Sequence, residues 1–200
     1  MSKPSCDLYA KAPAPAGPVS FTPPSDLPGV PPVSPGGRVL YENLGISIDK
    51  DGIWHYHGSP IPRKELVCLF AHALTRDSDG RYWLVTAAEM GPIDVADAPL
   101  LVVEMYVAGA GEDQVISLRT NVDEIVDLDR QHPLRLGRNP ETGEVVPYLQ
   151  LENRIEARVT RPVYYALAEL AVEGEADGRS CLGVRSGGRL FALGYLDEGA

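Results

Sequence analysis

The feature that most constrains how this chain folds is an internal repeat. Arg63 precedes an apolar-striped segment and then Asp79-Gly80-Arg81, and Arg161 precedes another such segment and then Asp177-Gly178-Arg179. Both arginines stand sixteen residues ahead of the aspartate of their Asp-Gly-Arg turn. Self-similarity at a fixed spacing predicts two copies of one folding unit. Aligning the arginines sets Leu66 against Tyr164, Leu69 against Leu167, Phe70 against Ala168 and Ala73 against Ala171. Matched spacing without matched residues points to an old duplication, with a chance match as the alternative because Asp-Gly turns are common. Neither copy carries a catalytic signature.

The pattern around each repeat specifies elements. Ile46-Ser47-Ile48 and Ile53-Trp54-His55-Tyr56 flank Asp49-Lys50-Asp51-Gly52, which predicts a β-hairpin. Pro60-Ile61-Pro62 then leads into a helix with Leu66, Leu69, Phe70, Ala73 and Leu74 on one face and Pro62 in its first turn. Strands are expected at 81–86, 100–108, 114–119 and 124–128. Leu134-Arg135-Leu136 is expected to pair with Val145-Val146-Pro147-Tyr148-Leu149, and Ile155–Val159 reads as strand or helix lead-in. Thr160 is placed as an N-cap, with Pro162 in the first turn and Tyr164, Leu167, Leu170 and Ala171 as the stripe. A hairpin over 180–194 turns at Gly187-Gly188.

Composition sets the class. An apolar fraction of 44% and a charged fraction of 23% suit a soluble globular chain. No run approaches the length of a membrane span, and no basic-then-apolar leader opens the chain. Cys6, Cys68 and Cys181 are widely spaced, so free thiols in a reducing cytoplasm are expected rather than a disulfide framework or a structural zinc site. Residues 1–37, rich in proline, predict a disordered arm of polyproline II character. An N-terminal domain over 38–129 and a C-terminal domain over 130–200 follow it.

The net charge of −10 divides as +1 over residues 1–38, −9 over 39–128 and −2 over 129–200. The acidic middle repels phosphate backbones and disfavours non-specific nucleic-acid binding. The last third holds half of the basic residues, all arginine, and there a small anionic ligand fits. Arg63 and Arg161, at helix starts, gain nothing from the helix dipole. They serve either an ion pair to a carboxylate such as Glu104 or Glu156, or capture of a phosphate or carboxylate. Arg135, Arg154 and Arg158 would join such a site if their strands face it, and Trp54, Trp83, Tyr82 and Tyr148 would offer stacking surfaces if exposed. His55 and His57 share a strand face on paper, but without a third ligand a solvated hairpin edge is the better reading. His72 is expected on the exposed face of its helix, and His132 at the domain junction. Glu89, Asp94, Asp97 and Glu104 read as an acidic solvated loop rather than a metal or acid-base cluster. No Walker loop, G-x-S-x-G, G-x-G-x-x-G or H-E-x-x-H occurs.

The runs Pro60–Phe70 and Asp79–Thr86, with Asp97-Ala98-Pro99, His132-Pro133-Leu134-Arg135, Pro147-Tyr148-Leu149 and Thr160–Tyr165, resemble the bacterial domain-of-unknown-function family DUF1285 over about residues 40 to 195. The stretch Leu149–Arg154 departs from the pattern. The resemblance implies an α+β protein of two related domains, each an antiparallel sheet packed on a helix, the second superficially like a pleckstrin-homology fold. It also implies a ligand or partner site at the domain junction and a signalling role with no established reaction. The expected function is a non-enzymatic cytoplasmic regulatory module that binds a small anionic, nucleotide-like molecule or a segment of a signalling protein. Its site would comprise Arg63, Trp83, His132, Arg135, Tyr148 and Arg161, with no catalytic or metal residues assigned and the cofactor unknown. The alternative is a metal-assisted enzyme using Glu89, Asp97 or His132.

Overall fold

A computed structural model describes residues 37–139 and 142–196, so the proline-rich arm expected over 1–37 lies, but for Gly37, outside the described residues. The chain divides into two compact units at Pro99/Leu100, with 153–155 belonging to the first. Among the described residues each unit is dominated by sheet and holds one nine-residue α-helix.

In the N-terminal unit the strands are β1 (Val39–Leu40), β2 (Ile46–Ile48), β3 (Trp54–Tyr56), β4 (Ser59–Pro60), β5 (Leu74–Arg76), β6 (Tyr82–Val85) and β7 (Glu89–Val95). They form one sheet in the order β4-β3-β2-β7-β6-β5, with β1 also on β7. The expected hairpin is present, with Ile48 opposite Trp54. β7 was not expected, because Gly91-Pro92 interrupts its apolar pattern. The register explains the proline: β1 pairs with Glu89 and Met90, and β2 with Asp94 and Val95. Pro92 therefore sits between the two partners, where a missing amide costs no ladder bond. Because β1 and β2 both run parallel to β7, the sheet is mixed and not antiparallel as expected.

Helix α1 (Lys64–His72) has Arg63 at its N-cap, so Pro62 lies outside the helix rather than in its first turn. Its buried centre is Cys68, while Leu69, expected on the apolar face, is exposed and Phe70 stacks on Trp54. Cys68 corrects a second expectation: it is disulfide-bonded and not a free thiol. Cys181 is a free buried thiol, raised above its ordinary pKa by burial.

The C-terminal unit opens with β8 (Leu100–Ala108), β9 (Val115–Thr120), β10 (Ile125–Asp127), β11 (Leu134–Arg138), β12 (Val145–Gln150) and β13 (Glu156–Val159). Their order is β10-β9-β8-β13-β12-β11, with β8 and β13 parallel, so this sheet is mixed as well. That parallel pair corrects the domain boundary expected at 129/130. Leu100–Val102 pair with Ala157–Val159 and anchor β8, β9 and β10 in the C-terminal sheet. Helix α2 (Arg161–Glu169) follows, then the meander β14 (Val172–Ala176), β15 (Arg179–Ser186) and β16 (Arg189–Tyr195). Thr160 occupies the N-cap, but its hydroxyl donates to the Val102 carbonyl and caps nothing. The helix buries Val163 and Leu167 and lies against β8 and β15.

The core of this unit is Val102, Ile116, Leu118, Leu149, Ala157, Leu167 and Val184, all fully buried. Each large apolar side chain so buried contributes about 1.5–3 kcal/mol. Ser186, buried at the β15–β16 turn, ties the meander to the main sheet by accepting the Ile116 amide at 3.0 Å. The Gln114 amide side chain adds a bond to the Arg185 carbonyl at 2.7 Å.

Both units contain a nine-residue helix followed by a three-stranded antiparallel meander: α1 with β5-β6-β7, and α2 with β14-β15-β16. The two Asp-Gly turns inside them differ. Asp177 and Gly178 both take positive φ in a two-residue hairpin turn. Residues 77–81 form a longer loop instead, held by Asp77, whose carboxylate accepts the Asp79 and Arg81 amides and the Trp83 indole N–H.

Candidate ligand-binding cleft

The C-terminal unit contains a cleft of about 710 Å³, within the size range of small-ligand sites. One wall is the start of β11, with Pro133, Leu134, Arg135 and Leu136; the other is β16 from Arg189 to Ala192, and Tyr195. Arg130, Gln150 and the β14–β15 corner of Glu175, Ala176 and Asp177 complete it. β11 and β16 are the terminal strands of their respective sheets. Side chains alternate faces along a strand, so a cavity lined by consecutive residues borders the strand edge and not its face. The cleft is therefore a gap between two strand edges.

Arg135 is the best-fixed cation of this region. It stands opposite Tyr148 across the β11–β12 ladder, and its guanidinium lies 4.5 Å from that ring's centroid. It also forms a two-point pair with Glu156, with Nη2 3.0 Å from Oε2. Planar stacking plus bidentate pairing holds the side chain in one geometry. Gly137 makes room for the Tyr148 ring, since a Cβ there would meet Cε2 at 2.8 Å.

Arg130 and Arg189 differ from Arg135. Both are exposed on the cleft and neither forms an ion pair among the described residues. Opposite in sign, Asp177 accepts a long hydrogen bond from the Tyr195 hydroxyl at 3.5 Å. The Arg179 guanidinium lies 3.9 Å from the centroid of the Tyr195 ring. Burial, with the nearby Asp177 carboxylate, holds the Tyr195 phenol above its ordinary pKa. The arrangement offers two uncommitted guanidinium forks, a fixed third one and an aromatic edge, which is the chemistry of carboxylate or phosphate recognition.

Of the six residues expected at a site, only Arg135 lines this cleft, and Tyr148 lies buried beneath it. Arg161 is exposed and paired with Glu144 at 3.0 Å, a partner different from the anticipated Glu104 or Glu156. Glu104 instead holds Arg119, and Glu156 holds Arg135. His132 follows Arg130 and precedes Pro133 but turns to Asp129: its amide donates to Oδ1 at 2.8 Å, and its Nδ1 sits 3.3 Å from the same oxygen without hydrogen-bond geometry. The amide of His132 chiefly holds the Asp129 carboxyl below its usual range, against an opposing effect of burial. Trp83 and Arg63 belong to the N-terminal unit, where Trp83 donates to Asp77 at 2.9 Å and Arg63 is exposed.

Glu89 and Asp97 belong to the N-terminal unit and His132 to the C-terminal one. Among the described residues no three His, Cys, Asp or Glu side chains come together as metal ligands. His55 and His57 do not converge either. His57 has left β3 with a positive φ and packs on Tyr56, while His55 Nε2 pairs with Asp49 Oδ2 at 3.0 Å.

Arg130, Arg189, Gln150 and Tyr195 were not singled out from the sequence. The concentration of arginine in the last third was the available signal, but which arginines share a cleft depends on the approach of β11 to β16, which no local pattern encodes.

A protein built this way belongs to a two-domain, sheet-dominated α+β class. Residues 31–98 match the model described as "Domain of unknown function (DUF1285), N-terminal domain", and residues 99–193 match "Protein of unknown function (DUF1285), C-terminal domain". The chain belongs to the DUF1285 family. It is similar over 98% of both chains to a DUF1285 family protein from Silicibacter pomeroyi DSS-3, with 31% identity and a TM-score of 0.72. A DUF1285 family protein from Shewanella baltica OS155 is similar over 64% of this chain and 94% of its own, with 25% identity and a TM-score of 0.51. No curated protein matches. The two family models meet at 98/99, in agreement with the structural division at Pro99/Leu100.

Proposed function

We propose that this protein is a regulatory binding module, not an enzyme, and that it captures a phosphate- or carboxylate-bearing partner in the cleft of its C-terminal unit. The observation that carries this reading is the pair Arg130 and Arg189. Two guanidinium groups line one cleft without an ion-pair partner among the described residues, beside an Arg135 whose geometry Tyr148 and Glu156 fix. A cation pair left open in a concave, partly apolar site favours an anion that supplies the missing acceptors.

The sheet, meander and helix of the C-terminal unit support a superficial likeness to a pleckstrin-homology fold, a ligand-binding scaffold. The repeated helix-meander order supports an ancient duplication. A signalling role and a cytoplasmic, bacterial setting complete the reading; the disulfide at Cys68 is the observation that opposes a reducing compartment.

The test is a thermal-shift screen of the full chain against phosphorylated metabolites and carboxylate-bearing peptides. A ligand that binds only the folded state raises the melting temperature through a stabilisation of RT ln(1 + [L]/Kd). The expected result is a shift that disappears in Arg130→Ala/Arg189→Ala, whose unliganded melting temperature stays at the wild-type value. A shift that survives in that variant places the site elsewhere.

A further inference from the structure

Resting on the anion-binding reading above, we infer that the occupant of the cleft is a small apolar zwitterion, an amino acid or short peptide with free termini. Its carboxylate is taken by the open arginines and its ammonium by Glu175 and Asp177. The walls carry both signs. Arg135 is already neutralised by Glu156. Of the charges that remain on the cleft, Arg130 and Arg189 are cationic and Glu175 and Asp177 anionic, so the uncommitted set is balanced. All four side chains are exposed, and among the described residues none forms an ion pair. A simple anion satisfies the arginines and is repelled by the carboxylates, and a simple cation does the reverse. A molecule with one charge of each sign is complementary to both.

The meander explains why the charges on its own strands do not cancel one another. Arg189 opens β16 opposite Ser186, whereas Tyr195 lies at the far end of the strand, opposite Cys181. The strand rises about 20 Å between them at the usual repeat. Asp177 stands at that far end, where the Tyr195 hydroxyl donates to it at 3.5 Å. Glu175 precedes Asp177 on β14, opposite Ser180. β14 closes on β16 next to it, since a Cβ at Gly174 would meet Leu190 Cδ2 at 2.6 Å. The Leu190 side chain therefore lies against β14 beside the carboxylate. Leu134 and Leu136 line the opposite wall from β11. These leucines offer apolar surface among the charged groups, and an aliphatic side chain of the occupant fits it.

The probes are free leucine and dileucine, titrated into the full chain by isothermal calorimetry, which separates an amino-acid from a peptide source of the same chemistry. Each is also titrated as its N-acetyl derivative, which keeps the carboxylate alone, and as its amide, which keeps the ammonium alone. Inorganic pyrophosphate reads the arginines by themselves. Leucine or dileucine is expected to bind saturably, and both capped forms of the one that binds at least about tenfold more weakly, the scale of one lost charge-assisted bond. In Glu175→Gln/Asp177→Asn the free compound is expected to fall to the affinity of its N-acetyl form, and pyrophosphate to bind more tightly because the like charges are gone. Both changes keep size and polarity, and asparagine before glycine suits the two-residue hairpin turn that Asp177 occupies. If that variant fails to fold, the comparison of free and capped compounds on the wild-type chain decides. Equal binding of the free and N-acetyl compounds, or of the free compound and its amide, overturns the zwitterion. A discrimination that survives in the folded variant overturns the assignment to Glu175 and Asp177. Pyrophosphate binding without binding of either leucine compound overturns the zwitterion and leaves the anion-binding reading intact. Binding of none of them overturns both.

Discussion

Asp77 is the residue on which the first repeat turns. Its carboxylate accepts two backbone amides and the Trp83 indole N–H, so Asp77→Ala removes three partners at once. The expected loss is about 1–3 kcal/mol in urea unfolding, because the freed donors find little within the fold to replace it. Burial raises the Asp77 pKa, but the bonds from Trp83, Arg81 and Asp79 outweigh it and hold the carboxyl below its ordinary value. A depressed folded-state pKa adds stability that is fully present above the unfolded value and is lost as pH falls through the folded one. Asp49 and Asp129 have the same sign. Wild-type urea midpoints are therefore expected to fall as pH drops below the ordinary carboxylate range, and Asp77→Asn is expected to flatten that fall. At this scale the sequence was partly legible. Asp79-Gly80 was readable as a turn, but the residue that holds it is the aspartate two positions earlier, and Trp83 was bonded inside the fold rather than free to stack on a ligand.

Among the elements, short-range pairs were legible and long-range ones were not. The β2–β3 hairpin and the Leu134–Leu149 pairing join segments separated by a few turn residues, so apolar alternation and turn chemistry specify them. β7 was not legible, because a proline inside a strand argues against a strand until the gap between β1 and β2 is seen. The meander is fastened to the main sheet through Ser186. Ser186→Ala leaves the Ile116 amide, in a fully buried residue, without its acceptor. That change is expected to cost about 1–3 kcal/mol, measured by chemical denaturation. Leu149→Ala opens a cavity in the same core and is expected to cost about 2–5 kcal/mol. If Ser186→Ala proves neutral, the meander is held chiefly by α2 and apolar packing.

The whole molecule divides where a parallel pair dictates. β8 and β13 are distant in sequence but adjacent in the sheet, and that pairing, with the bonds of Ser186 and Gln114, assigns 100–127 to the C-terminal unit. A fragment beginning at residue 99 is accordingly expected to give dispersed amide resonances, and one beginning at residue 130 is not. A second non-local approach, of β11 to β16, brings Arg130, Arg135 and Arg189 to one cleft, which is why the arginine-rich last third was legible as a compositional bias and its site was not. The most direct test of that site is titration calorimetry of pyrophosphate into the full chain and into Arg130→Ala/Arg189→Ala. Saturable binding to the wild-type chain, absent in a folded double variant, is the predicted result. Equal binding to both, or none to either, contradicts the assignment of the cleft as an anion site.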